Sequence, residues 1–332
     1  MYIFINLFEM RKNKLFLIAK IIAIPTLYAI VLRLFFGINT LSDLYTVMSY
    51  SFLFCLPVVV GFLTIYFSDI EKVQKLIYRI FMPWIPIFFF FFITLIVSLE
   101  GWPCWLMVLP LFLIASSLGG LIGGYYKFKK NNNTLYISIF TLIPIIIAPL
   151  ESLVITNPTV YKAYTYIDIK APADKIWNNV TRVKEIDEKQ DKGWLTKFLG
   201  FPRPLKAELN FNGIGAYRKA IFTDGLVFHE TVSEYIDKKK MVFSIKVYPQ
   251  EIPPTTMDKH IVIGGQYFDV LNGTYELEQL NPSTYRLHLY SHFSLTTNFN
   301  FYASYWARWI MKDIQNNILQ VEKQRAENNY DL

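Results

Sequence analysis

The chain's four histidines and two cysteines hold most of its capacity for nucleophilic, acid-base or metal chemistry, and their spacing disperses it. His229 adjoins Glu230, an arrangement that would suit a general base and its orienter. Read as strand residues, however, neighbours point to opposite sheet faces, so the two cannot serve one substrate. His288 and His292 share a face but lie about 13 Å apart along a strand rising about 3.3 Å per residue, too far to chelate one metal. His260 has no Cys or His at ligand spacing. Cys55 and Cys104 fall in or beside apolar runs and imply no disulfide framework. There is no G-x-S-x-G elbow and no phosphate-binding loop. Gly213-Ile214-Gly215 continues as Ala216-Tyr217-Arg218, which breaks the dinucleotide fingerprint. These residues imply no metal and no cofactor.

The elements that must position them change character near residue 155. Before it lie five apolar runs, about 15 to 36, 44 to 67, 80 to 99, 102 to 126 and 135 to 154. Each reaches the roughly 20 residues a helix needs to cross about 30 Å of hydrocarbon. An all-α transmembrane bundle of five helices is therefore expected over residues 1 to 155. Lys20 and Arg33 sit near the ends of the first run, where long side chains snorkel to headgroups. Arg11, Lys12 and Lys14, then Lys72, Lys75 and Arg79, then Lys127, Lys129 and Lys130 mark alternate loops, while 37 to 43 and 100 to 101 hold no Lys or Arg. The positive-inside rule makes the N-terminus cytoplasmic, and five spans leave the C-terminal half on the extracytoplasmic side of the plasma (inner) membrane. That parity hangs on every run, above all on the last, which Pro144, Pro149 and Glu151 interrupt. Gly119, Gly120, Gly123 and Gly124 form two G-x-x-x-G pairs, a signature of close helix packing; ionisable residues for a pore are missing from mid-bilayer. Residues 1 to 155 hold 11 Lys and Arg against 6 Asp and Glu, so five of the seven net positive charges lie there. The basic balance is topological and no nucleic-acid partner is implied.

The second half reads as strands closed by a long helix. Residues 156 to 163 form a linker, at most about 28 Å when extended, and a folded unit spans 164 to 327 with a tail at 328 to 332. Tyr164 to Lys170 alternates as a strand; Ala171-Pro172-Ala173-Asp174 opens a short helix through Ile176, Trp177 and Val180. Period-two runs follow at 205 to 211, 216 to 222, 227 to 236, 241 to 248, 268 to 280 and 284 to 296, parted by turn residues at Asn212-Gly213, Asp224-Gly225, Asp237 to Lys240 and Asn281-Pro282-Ser283. Met241, Phe243, Ile245 and Val247 share one strand face; Tyr285, Leu287, Leu289, Ser291 and Phe293 share another. From Phe299 to about Glu327, Tyr302, Trp306, Trp309, Ile310, Ile314, Ile318 and Val321 make a helical stripe expected to lie against the sheet, an α+β arrangement.

The order of Ala171-Pro172-Ala173-Asp174-Lys175-Ile176-Trp177, Gly213-Ile214-Gly215-Ala216-Tyr217-Arg218, Asp224-Gly225 with Glu230-Thr231-Val232, and Gly273-Thr274-Tyr275-Glu276-Leu277-Glu278 resembles the START-like superfamily of helix-grip domains, also called SRPBCC or polyketide cyclase/dehydrase. The resemblance covers about residues 160 to 326. It implies a curved seven-stranded sheet gripping the C-terminal helix around an apolar cavity that takes lipids or other hydrophobic molecules. Phe243, Ile245, Tyr275, Leu287, Leu289, Phe293, Tyr302, Trp306 and Ile310 would then contact the ligand. Arg218 and Glu230 match a basic and an acidic residue frequent in the family, and adjacent strands let them meet as an ion pair. The resulting expectation is a binding module for a hydrophobic or lipid-like molecule, with membrane lipids as its other partner. Two alternatives stand beside it: a cyclase- or dehydratase-like enzyme using Arg218, Glu230 or Tyr275, and a structural subunit of a membrane complex. Residues 249 to 266 read as a lid, and Trp194, Leu195, Phe198, Leu199 and Phe201 as a patch for the cavity mouth or for headgroups. No protein partner is implied.

Overall fold

A computed structural model describes residues 2–129, 134–154, 156–248 and 263–328. The chain divides into two compact units, Met1–Ile155 and Thr156–Leu332.

The first unit is helical: α1 (Tyr2–Phe35), α2 (Leu56–Phe67), α3 (Ile70–Val73), α4 (Leu76–Phe81), α5 (Trp84–Ile96), α6 (Trp102–Phe128) and α7 (Thr134–Ser152). Three segments are long and apolar enough to cross a membrane, Ile18–Phe35, Leu76–Ile96 and Trp102–Phe128, while Ser51–Phe67 and Ser138–Ser152 are apolar but shorter. The run expected from residue 44 becomes helical only at Ser51, with a π-helical turn over Ser51–Cys55 leading into α2. Its start is held by Glu151, whose carboxylate accepts from the Tyr50 N–H at 2.7 Å and the Ser51 N–H at 3.1 Å. That carboxylate satisfies N–H groups a helix start leaves unpaired. Arg33 does not snorkel. It is buried and ion-paired with Glu100, and it also donates to the Leu99 carbonyl at 3.2 Å. The glycines do pack helices: a Cβ on Gly119 would stand 1.9 Å from the Val58 carbonyl oxygen, and one on Gly61 1.9 Å from that of Ser116, so α2 and α6 touch backbone to backbone.

The second unit contains β1 (Thr159–Ile169), α8 (Ala173–Thr181), α9 (Trp194–Leu199), β2 (Pro204–Leu209), β3 (Tyr217–Phe222), β4 (Val227–Ile236), β5 (Lys240–Lys246), β6 (Phe268–Asn281), β7 (Thr284–Leu295) and α10 (Asn300–Glu327). The strands form one antiparallel sheet in the order β1-β7-β6-β5-β4-β3-β2. Bulges after Val232 and Val270 bend it, and the curled sheet with α10 packed on β1 and β7 has the arrangement of a helix-grip domain. β1 starts at Thr159, five residues before the expected Tyr164, so most of the supposed linker is strand. Its extra residues are pulled into the sheet by the length of β7, with Thr159 registered on Leu295.

The inner face carries the alternation expected of it. Met241, Phe243, Tyr275, Leu277, Leu287 and Leu289 form one cluster with Ile176 and Trp177 of α8 and Leu319 of α10. The helix seats only the later part of the expected stripe. Val321 is fully buried, and Ile314 and Ile318 pack against the buried clusters, whereas Trp309 is 46% exposed and Tyr302, Trp306 and Ile310 are half-buried; Ser304, Gln315, Leu319, Glu322 and Ala326 take further buried positions. Polar contacts hold this seat. Gln315 donates to Ser291 Oγ at 3.1 Å and to the Ala163 carbonyl at 3.4 Å while accepting from Thr165 Oγ1 at 3.2 Å. A buried amide left unpaired would cost about 1 to 3 kcal/mol, so its partners outweigh the benefit of turning the rings inward.

Candidate functional site

The polar centre of the sheet is built from the turn between β2 and β3. Gly215 adopts φ +83°, a conformation that suits glycine. Its N–H then bonds the Val232 carbonyl at 2.8 Å, and the Val232 N–H bonds that of Ala216 at 2.9 Å. This pairing fixes the register that sets Arg218 opposite Glu230. Both side chains are buried and ion-paired, and Arg218 Nε also donates to the Thr181 carbonyl at 3.3 Å. Desolvation pushes the Glu230 carboxyl up, opposed by the Arg218 guanidinium, which remains charged at any accessible pH.

The guanidinium lies 5.1 Å from the Phe243 ring centroid and 5.8 Å from that of Tyr275. Gly273 makes room for this stack: a Cβ there would come within 2.5 Å of the Phe243 ring. Tyr275 is buried, and desolvation, opposed by Arg218, pushes its hydroxyl up to about 12. A fourth polar group, Glu322 of α10, faces this interior. It is 1% exposed, neither carboxylate oxygen has a hydrogen-bond partner, and Arg325 stands 3.9 Å away. Desolvation, opposed by Arg325 and Arg218, pushes its carboxyl up to about 7. Sequence reasoning missed Glu322, although it continues the four-residue spacing of Ile314 and Ile318 and stands seven residues, two helical turns, from Gln315, which places it on the buried side of α10.

Phe228, Ile245, Phe268, Met311 and Ile314 pack against a buried cluster that includes Val247, Val270 and Val321, yet are themselves only partly buried. Of the expected ligand contacts, Phe243, Tyr275, Leu287 and Leu289 come together in the cluster with Trp177, and Ile245 packs against it. Phe293 belongs to a neighbouring cluster with Ala163 and Leu295, lined on the helix side by Ala303, Ala307 and Met311. Tyr302, Trp306 and Ile310 lie to the side of those three helix residues.

The three described histidines are partly exposed and hydrogen-bonded to neighbouring side chains. His229 shares a 2.6 Å hydrogen bond with the Tyr217 hydroxyl, and its neighbour Glu230 is turned inward. His288 meets the Tyr164 hydroxyl at 2.8 Å and Glu278 at 3.1 Å, and His292 meets Asn272 at 2.8 Å. Among the described residues no three His, Cys, Asp or Glu come together as a metal site. His260 and residues 249–262 of the expected lid lie outside the described residues.

No family model matches the chain, and no curated protein does. Similar solved structures include a START superfamily protein from Mycobacterium smegmatis, at 9% identity and a TM-score of 0.33, covering 50% of this chain and 97% of that one. Truncated norcoclaurine synthase from Thalictrum flavum gives 13% and 0.30, over 51% and 95%. The di-domain ARO/CYC BexL of the BE-7585A biosynthetic pathway gives 15% and 0.34, over 64% and 63%. The fold assignment rests on the strand order and the seat of α10, not on likenesses of this degree.

Proposed function

We propose that the Thr156–Leu332 unit binds a hydrophobic or lipid-like molecule between α10 and the sheet, and that the N-terminal helices hold it at a membrane. The observation that carries this reading is that Phe228, Ile245, Phe268, Met311 and Ile314 pack against a buried apolar cluster and are themselves only partly buried. Apolar surface left open inside a fold is stabilised by an apolar occupant. In the full reading the chain spans the plasma membrane five times, with its N-terminus cytoplasmic and the binding unit extracytoplasmic. Reporter fusions at the C-terminus test the side.

Binding is tested on full-length protein purified in detergent, by mass spectrometry of co-purified molecules and by saturable uptake of a fluorescent fatty acid. Ile245→Trp fills the lining and is expected to abolish uptake without unfolding the unit. Absence of both a co-purified molecule and saturable uptake in the unmodified chain overturns the proposal.

A second reading, catalysis on a hydrophobic substrate, is favoured by one observation. Arg218, Glu230, Tyr275 and Glu322 share a single interior, and the carboxyl of Glu322 changes protonation near neutrality. Tyr275→Phe separates the two readings, since it spares uptake and removes turnover.

A further inference from the structure

The rings that α10 turns away from the sheet form a surface of their own. Tyr305 is 69% exposed and Trp309 46%, one helical turn apart, and Trp194 of α9 is 61% exposed. Trp194 and Trp309 meet with ring centroids 5.9 Å apart, and Trp309 meets Trp306 at 5.4 Å, so the surface is continuous across two helices. Phe198 and Phe301 are exposed on the same two helices. The fold does not need these rings. Leu195, Thr196 and Leu199 are the buried side of α9, and Ser304 and Gln315 lie on that of α10.

Three features of this surface point to one occupant. Its large side chains are mostly Trp and Tyr, whose rings carry both an apolar body and a polar edge and collect at membrane–water interfaces. Its exposed charge is basic: Lys197, Arg308 and Lys312 interleave with the rings, while the neighbouring Asp313 accepts from the Thr196 N–H at 2.9 Å and the Thr196 hydroxyl at 2.8 Å between the two helices. Lys197 and Lys312 are exposed. Finally, the start of α10 is tied to the first residue of the unit, Thr156, which donates through Oγ1 to Asn298 at 2.5 Å, two residues before the helix begins.

The structure points to a membrane-contact surface: the rings of Trp194, Tyr305 and Trp309, flanked by Lys197 and Lys312, seat in the headgroup region of a bilayer containing anionic phospholipid. This rests on the reading that the N-terminal helices cross that bilayer. The rings supply interfacial burial and the lysines supply attraction to lipid phosphates. The binding unit is then held with a fixed face to the lipid rather than swinging on its connection.

The test uses full-length protein with Cys55 and Cys104 replaced by serine, spin-labelled at Y305C, at K197C or at K238C, a loop position as control. Each is reconstituted into vesicles of phosphatidylcholine with phosphatidylglycerol, and collisions with oxygen and with a water-soluble nickel chelate are compared. The expected result is an oxygen-to-nickel ratio at 305 and 197 severalfold above that at 238. Lys197→Glu with Lys312→Glu is expected to lower the ratio at 305 in the anionic vesicles and to leave it unchanged in pure phosphatidylcholine. Nickel access at 305 equal to that at 238 overturns the inference while leaving the anchor intact. A label at 305 shielded from both agents overturns it in favour of a protein contact. Protein that does not float with the vesicles removes the anchor reading, and this inference with it.

Discussion

Among the described residues, Glu322→Gln isolates the buried carboxyl whose oxygens have no hydrogen-bond partner. Burial disfavours its charged form and pushes the carboxyl from its ordinary value of 4.5 up to about 7 in the folded unit. The folded state therefore binds the proton more tightly, and stability falls as pH rises between those values. The sign is opposite to that of a salt-bridged carboxylate: the contribution is complete below the unfolded value and is lost as pH passes through about 7. The loss is worth about 3 kcal/mol, or roughly 6 to 12 °C in Tm for a unit of this size. Glutamine keeps the shape and removes the titration. Thermal unfolding of the full chain in detergent, followed by far-UV circular dichroism from about pH 4.5 to about pH 8, is expected to show coincident Tm values at the acid end. The variant is expected to become progressively more stable toward the alkaline end. Parallel curves for the two proteins would refute the reasoning, since they would mean that water already reaches the carboxyl.

Arg218→Met leaves Glu230 buried without its cation and is expected to destabilise by about 3 to 5 kcal/mol in urea titrations, with most of the loss recovered on adding Glu230→Leu. Gly273→Ala drives a Cβ into the Phe243 ring and is expected to cost about 1 to 3 kcal/mol. A double-mutant cycle with Phe243→Leu should recover part of it; simple additivity would show that the ring is not the obstacle. In the first unit, Gly119→Ala meets the Val58 backbone rather than a side chain that can yield. A marked fall in detergent-solubilised Tm is expected there, with Ile114→Ala, a site 63% exposed, as the neutral control.

The strands were legible because each has one buried and one open face, so alternation carries the information; all six period-two runs begin within a residue of the observed strands. The start of β1 was not, because Thr159 to Tyr161 are held by the reach of β7 and not by their own pattern. The helix α10 was legible as an element, and its facing in the later half, where Ile314, Ile318 and Val321 pack inward as their spacing implies. In its first half the rings follow the same spacing but stay open, and the facing is helped by polar anchors such as Asn317, which accepts from the Lys192 N–H at 2.8 Å and donates to Asp191 at 2.9 Å. Those two partners are more than a hundred residues away, and periodicity contains nothing about them. The same blindness hid Glu100 as the partner that draws Arg33 inward.

Glu322 stays buried because the end of α10 is clasped from outside. Arg325 donates to the carbonyls of Lys184 at 2.9 Å and Glu185 at 2.6 Å, and Lys323 to that of Asp168 at 2.5 Å, while Glu327 accepts from the Lys170 N–H at 2.8 Å. Arg325 thus spends its donors on loop carbonyls and reaches Glu322 only at 3.9 Å, near enough to lower the carboxyl's proton affinity but not to bond it. Arg325→Met consequently has two separable effects. The lost clasp lowers stability at every pH, by about 1.5 to 3 kcal/mol for hydrogen bonds from a charged donor. The lost cation removes the second-largest influence on Glu322, so the pH window over which stability declines should extend upward, beyond neutrality. Thermal unfolding across pH reads both at once. A window that narrows instead would mean that the helix end has frayed and hydrated the carboxyl, and that the contacts of Lys323 and Glu327 do not hold α10 by themselves.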